Sequence, residues 1–309
     1  MAGKRMLFLI NPKAGKAKIR NQLLAVMDIF TKAGYEVTVH ITQCKQDAQR
    51  VVEEREDTYD ILVCSGGDGT LDEVVTGMVK SRRSLPIGYI PAGSTNDFAN
   101  SLKIPKNMQK AARAVVEGRA FHCDIGAFNR DVFVYVAAFG MFTDVSYGTE
   151  QEMKNMLGHM AYILEGMKRL AAIKSYKMRF LYENTVIEGD FLFGMVTNSV
   201  SVGGFKKLTG KNVELDDGEL EVTLVRRPAN VADLNRLIAS LLDRSMENEL
   251  IYWFKTARLQ AESEESVAWT LDGEFGGEHE KVLIEDYKQA MCIMVPADKL
   301  LAGVFGYLK

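Results

Sequence analysis

The sequence predicts two domains: an α/β N-terminal domain on an open, mostly parallel sheet, then a mainly antiparallel β-sandwich C-terminal domain. Three observations predict it. Up to about residue 125, short apolar runs alternate with amphipathic stretches, as strands joined by crossover helices do. Beyond that point strand-like segments follow one another through turns. At 309 residues, the chain is also long for a single core. The expected division is 1–125, joined by a returning segment at about 297–309, and 126–296.

In the N-terminal half, Met6–Ile10 reads as a buried strand and Asn11-Pro12-Lys13-Ala14-Gly15 as the loop leaving it. An amphipathic pattern follows, with Ile19, Leu23, Val26, Met27 and Phe30 on one side, and it stops at Gly34, a left-handed cap. Glu36–Thr42 alternates as a strand with Val37, Val39 and Ile41 on one face. A helix covers about Gln46–Arg55. The next strand, Asp60–Cys64, ends in Ser65-Gly66-Gly67-Asp68-Gly69-Thr70, and a helical pattern resumes at Leu71. A fourth strand, Pro86–Ile90, empties into Gly93-Ser94-Thr95-Asn96-Asp97.

In open parallel sheets ligands bind beyond the carboxyl ends of the strands, and three loops of suitable composition fall there. Glycines let backbone approach a ligand, and the helix after the glycine loop turns free N–H groups and its positive dipole end toward the same place. That arrangement suits phosphate. Asp68 would repel a bare phosphate, but it fits if Mg²⁺ or its water shell lies between them. Each loop taken alone is also an ordinary turn or helix cap. Thr42, at a strand end, could contact a nucleotide, but a residue of this type there is more often a plain β-branched strand residue. No Walker A sequence is present.

Composition narrows the classes. A content of 47% hydrophobic and 26% charged residues is that of a soluble globular protein, and a net charge of −3 gives no general case for nucleic acid. Four scattered cysteines without a CxxC pair, and four scattered histidines, form no zinc spacing and fit a reduced, cytoplasmic setting. No apolar run has the length to span a bilayer, so work on lipid would be peripheral, at the inner membrane surface.

In the C-terminal half Asp131–Phe139, Tyr176–Tyr182, Val186–Thr197, Glu219–Arg226 and Lys281–Glu285 read as strands. A methionine-rich helical pattern at about 149–173 suits either the core or a lipid surface. Glu214-Leu215-Asp216-Asp217-Gly218-Glu219 is either a solvated turn or a hard-cation site. In Asp272-Gly273-Glu274, an extended backbone would put both carboxylates on one face, where one could take a hydroxyl proton; a polar hairpin is the other reading.

Several of these stretches resemble one family. Gly66-Gly67-Asp68-Gly69-Thr70 looks like the GGDGT signature shared by diacylglycerol-type lipid kinases and NAD kinases. Asn11–Gly15 resembles the NPxSG-type first motif of the lipid kinases, and Gly93–Ala99 their GTxNDFAR motif. The IN-x-G-x-x-GFL stretch of NAD kinases is missing. Ala14, Ser94 and Asn100 replace the usual Ser, Thr and Arg.

The resemblance implies ATP and Mg²⁺ over Asn11, Pro12, Lys13, Ala14, Gly15, Thr42, Gly66, Gly67, Asp68, Gly69, Thr70, Glu73, Gly93, Ser94, Thr95, Asn96 and Asp97. It implies Glu274 as general base, with Asp68 and Asp272 beside it in the catalytic set. It further implies a structural Mg²⁺ on the Asp217 side chain and mainly backbone oxygens of Glu214 and Glu219. The two domains would enclose the cleft, and the acceptor would be a membrane lipid, with diacylglycerol giving phosphatidic acid. A homodimer through a surface strand stays open. The competing readings are an NAD kinase-type phosphotransferase and a non-catalytic regulator that binds lipid or nucleotide.

Overall fold

The computed structural model describes residues 3–55, 58–141, 174–199, 213–243 and 248–297. The methionine-rich stretch at 149–173 and residues 298–309 of the expected returning segment lie outside the described residues. The chain divides into two compact units, Met1–Cys123 with Gln289–Lys309, and Asp124–Lys288.

The first unit is an α/β unit. Strand β1 (Lys4–Ile10) pairs in parallel with β2 (Tyr35–Ile41) and with β3 (Ile61–Gly66). Strand β4 (Ile87–Pro91) pairs in parallel with β3, and Ile293, late in the chain, pairs in parallel with Ile87. β3 and β4 are buried at every residue, and so is β1 from Met6 onward. Such continuous apolar runs are what a parallel sheet covered on both faces needs. β2 lies at the end of the strand order, and there Val39 and Ile41 remain exposed. Among the described residues no further strand pairs with it on that side.

The helices are α1 (Leu23–Lys32), α2 (Asp47–Glu54), α3 (Asp68–Lys80), α4 (Asp97–Ser101) and α5 (Met108–Glu117). The amphipathic pattern from Ile19 is not one helix, because a 3₁₀ helix (Ala14–Asn21) precedes α1. Gly34, at φ 85°, lies just beyond α1 in the left-handed conformation that glycine favours. α3 starts at Asp68 rather than Leu71, so the last residues of the glycine loop are its first turn. A carboxylate at that position is favoured by the helix dipole.

The second unit is rich in sheet. It contains β5 (Arg119–Phe128, which enters from the first unit), β6 (Asp131–Phe133), β7 (Val136–Gly140), β8 (Tyr176–Tyr182), β9 (Thr185–Thr197) and β10 (Leu220–Arg226). Helix α6 (Val231–Asp243) and strands β11 (Ile251–Thr256), β12 (Arg258–Leu271) and β13 (Glu274–Val295) follow. β13 runs on into the first unit.

The sandwich expected from sequence takes a different form. β7 pairs with β9, β9 with β8, β8 with β12 and β12 with β7, all antiparallel, so four strands close into a small barrel. Closure is possible because β9 and β12 are long enough to change partners along their length. β12 also shifts register against β13 between Glu262 and Val267 and again between Ala268 and Thr270. Bulges of this kind bend a strand. Aromatic side chains fill the interior: Phe139 lies 4.8 Å from Trp269, and Phe180 meets Phe191 edge-on at 5.0 Å. Such pairs add about 1 kcal/mol each beyond the area they bury.

Candidate active site

In the first unit the loops after the parallel strands are bound to one another. Asn11, after β1, donates its N–H to Ser65 O at 2.9 Å, and its side-chain Nδ2 donates to Thr70 Oγ1 at 3.1 Å. Its Oδ1 accepts the N–H of Lys13 at 3.0 Å, which folds the loop back on itself. Ala92 donates its N–H to Gly66 O at 2.7 Å, so the loop after β4 rests on the glycine loop. Gly15 lies so close to that loop, at φ 55°, that an added Cβ would come within 1.7 Å of Ala92 O. Only glycine fits there.

The carboxylate of Asp68 accepts the N–H of Asp97 at 3.1 Å, which links the starts of α3 and α4. Asn96, at φ 51°, donates from Nδ2 to Gly93 O at 2.7 Å and turns the chain into α4. Asn11, Gly66, Gly67, Asp68, Gly69, Thr70, Gly93, Asn96 and Asp97 therefore belong to a single hydrogen-bonded group of loops. Lys13 and Ser94 are exposed, and Pro12, Ala14 and Thr95 are half-buried beside them.

Two residues of the expected set behave differently. Thr42 is buried, and its hydroxyl donates to Ile10 O at 3.3 Å. Glu73 accepts from the backbone N–H groups of Gln46 at 2.8 Å and Ala48 at 3.1 Å, so its carboxylate caps the start of α2.

In the second unit, Asp272 and Glu274 do not share the face of one extended strand. Leu271 pairs with Glu274, and Asp272-Gly273 is the two-residue turn between β12 and β13. Both turn residues have positive φ, 50° and 85°, as Asp-Gly hairpins of this kind require. The Asp272 side chain is buried, and its carboxylate accepts three backbone N–H groups: Val134 at 2.6 Å, Tyr135 at 2.9 Å and Val136 at 2.9 Å. It fixes the turn instead of facing solvent. Glu274 is exposed at the first position of β13.

The turn at 214–219 belongs to a larger acidic group. Asp217 accepts the Glu219 N–H at 3.1 Å through Oδ1 and pairs with Lys255 Nζ at 2.6 Å through Oδ2. Asp124, fully buried, accepts the Gly218 N–H at 2.7 Å. The Lys255 ammonium also lies 3.3 Å from Glu221 Oε1. Burial pushes Glu221 up to about 8 although Lys255 opposes it. Burial, then Asp124 and Asp217, push Asp286 up to about 7, and Asp216 rises for similar reasons.

Asp286 Oδ1 is buried with no hydrogen-bond partner among the described residues. An excess of hard oxygen donors with one left over fits a small divalent cation. Among the described residues, no group of three or more His, Cys, Asp or Glu is assembled as a ligand set, so backbone oxygens or water would have to complete it. Sequence reasoning missed Asp124, Glu221, Lys255 and Asp286. The one local signal was Glu221, a carboxylate inside the apolar run of β10.

The family described as "Diacylglycerol kinase catalytic domain" matches residues 5–128, which include the three loops. A diacylglycerol kinase of Bacillus subtilis (strain 168) is 33% identical over 301 residues, 96% of this chain and 98% of the relative. One from Staphylococcus carnosus (strain TM300) is 34% identical over 281 residues, 89% of this chain and 90% of the relative. A crystal structure of a diacylglycerol kinase from Bacillus anthracis (strain Sterne) matches 96% of this chain and 98% of its own at a TM-score of 0.74. Its 21% identity makes that a likeness of fold. The end-to-end similarity to the curated relatives goes further: this chain belongs to the diacylglycerol kinase family, a family of lipid-phosphorylating phosphotransferases.

Proposed function

We propose that the chain transfers the γ-phosphoryl group of ATP to the hydroxyl of a membrane lipid, with diacylglycerol as acceptor and phosphatidic acid as product. The observation that carries this is the hydrogen-bonded group of loops at the carboxyl ends of β1, β3 and β4, whose residues match the lipid-kinase motifs. The backbone N–H groups of the glycine loop and the start of α3 would hold the nucleotide phosphates. Asp68 would hold a Mg²⁺ ion or its water shell beside them. That ion supplies positive charge to the phosphates.

Glu274 would act as general base. It takes the proton of the acceptor hydroxyl as that oxygen bonds to the γ-phosphorus, and the bond to the β-phosphate oxygen breaks to release ADP. Asp272 has no part in proton transfer on this reading; it holds the hairpin that presents Glu274. In the second unit, Asp217, with backbone oxygens of Glu214 and Glu219, would hold a structural Mg²⁺, and Asp124 and Asp286 add to the charge that retains it. Among the described residues no helix is long and apolar enough to cross a membrane, which suits an enzyme that meets its lipid at the surface.

ADP release from ATP·Mg²⁺ across a panel of lipid alcohols in mixed micelles, with NAD included, tests the proposal. Turnover is expected with diacylglycerol and none with NAD. Turnover with NAD alone would transfer the chain to NAD kinase chemistry. ATP binding without turnover on any acceptor would favour a regulator.

A further inference from the structure

Glu73 stands five positions after Asp68 on α3, the helix whose first turn is the end of the glycine loop. Its two carboxylate oxygens are taken by backbone N–H groups of another element: Oε1 by Gln46 at 2.8 Å and Oε2 by Ala48 at 3.1 Å. Those donors stand at the start of α2, where a helix leaves N–H groups unsatisfied and favours negative charge. α2 is pressed onto α3 a turn further along as well, since a Cβ at Gly77 would come within 2.8 Å of Gln49 O.

The chain between β2 and α2 is thereby held at both ends. At one end Thr42 donates its N–H to Ile10 O at 2.9 Å, and Gln43 donates its N–H to Asp47 Oδ2 at 2.8 Å. At the other, Gln46 is held by Glu73 and adopts a left-handed conformation, φ 63°. A glutamate with both oxygens committed to backbone is poorly placed to bind nucleotide directly.

We infer that Glu73 is a positioning residue: it couples the Thr42–Gln46 turn to the helix of the glycine loop, so that nucleotide affinity and selectivity depend on a side chain that does not touch the nucleotide. The inference rests on the proposed seat of ATP over these loops, Thr42 included as the lipid-kinase resemblance implies. Losing the carboxylate frees the turn while leaving the glycine loop and Glu274 in place. The cost falls on binding more than on phosphoryl transfer.

The test is steady-state kinetics and calorimetric ATP binding for the wild type, Glu73→Ala and Glu73→Gln, with GTP as a second donor. Glu73→Ala should raise the KM and Kd for ATP about tenfold, a loss of about 1.4 kcal/mol. Its kcat at saturating ATP should fall by less than about threefold, and its preference for ATP over GTP should shrink. Glu73→Gln keeps an acceptor oxygen for one of the two N–H groups and should recover much of the affinity; it also carries the test if the alanine variant does not fold. A variant with reduced kcat and unchanged KM would overturn the inference, as would unchanged ATP binding in both variants. Failure of the wild type itself to bind ATP would instead overturn the nucleotide seat, and with it the premise.

Discussion

Asp272 Oδ2 accepts the backbone N–H of Val134 at 2.6 Å, across a sequence separation of 138 residues. With Tyr135 and Val136 on Oδ1, one buried carboxylate closes three donors at the start of β7 and fixes the turn that leads to Glu274. Replacing it with alanine leaves three N–H groups in a site that excludes water, at about 1–3 kcal/mol for each one that finds no new partner. Asp272→Ala should therefore destabilise the protein by about 3 kcal/mol or more in denaturant unfolding. Asp272→Asn keeps the shape and an acceptor oxygen, and should fold with a smaller loss. If Asp272→Ala unfolded at the wild-type midpoint, the turn would not depend on this carboxylate.

Glu274 should separate from Asp272 in kinetics. As a general base it contributes about 10²–10⁴ in rate. Glu274→Gln should lose turnover on that scale, keep wild-type stability and bind ATP normally. Asp272→Asn should lower kcat less and leave its pH profile in place. A Glu274→Gln enzyme with near-normal kcat would assign the base elsewhere.

The contrast between these two residues also marks what the sequence could disclose. The three loops of the first unit are legible because each is a local event, an apolar strand ending in glycine, asparagine or serine. Their side-by-side placement follows from parallel topology alone. Gly34 as a helix stop is legible for the same reason. Asp272 was not, since its partners at 134–136 lie more than a hundred residues earlier, at the junction of β6 and β7, and only tertiary pairing reveals that the carboxylate points inward. The resemblance puts Glu73 with the nucleotide, but the N–H groups it holds stand at the start of α2. The barrel escaped because β9 and β12 each serve two sets of partners, and a period-two pattern carries no record of which strand lies alongside.

Asp47 gives a prediction in acid. Burial raises its pKa, but the Gln43 N–H, His40 Nε2 at 3.1 Å and Arg50 Nη2 at 2.6 Å outweigh burial and hold it down at about 2. A carboxyl with a folded pKa below its unfolded value stabilises the fold fully above the unfolded value, near 4, and loses that contribution as pH falls toward 2. The gap in thermal midpoint between wild type and Asp47→Asn should thus be constant from pH 7 to about 5 and close below pH 4. A gap that persisted unchanged at pH 3 would show that the charge on Asp47 is not what stabilises the α2 turn.

The acidic group of the second unit has the opposite sign. Asp286, at about 7, and Glu221, at about 8, hold protons in the folded state that the unfolded chain releases near pH 4. Without a cation, their contribution to stability is greatest below pH 4 and declines as pH rises through 7 to 8. A divalent ion at Asp217 would favour the ionised forms and compete with those protons, so its benefit should grow over the same range. In thermal unfolding, millimolar Mg²⁺ should raise the midpoint more at pH 8 than at pH 5.5, and a chelator should reverse it. At a concentration 100 times its Kd, the ion would add about 2.7 kcal/mol. Asp217→Ala should abolish the response, whereas Asp286→Asn should weaken it and flatten its dependence on pH. A midpoint at pH 8 indifferent to Mg²⁺ would leave Lys255, 2.6 Å from Asp217, as the counter-charge of this group and would rule out a stabilising metal there.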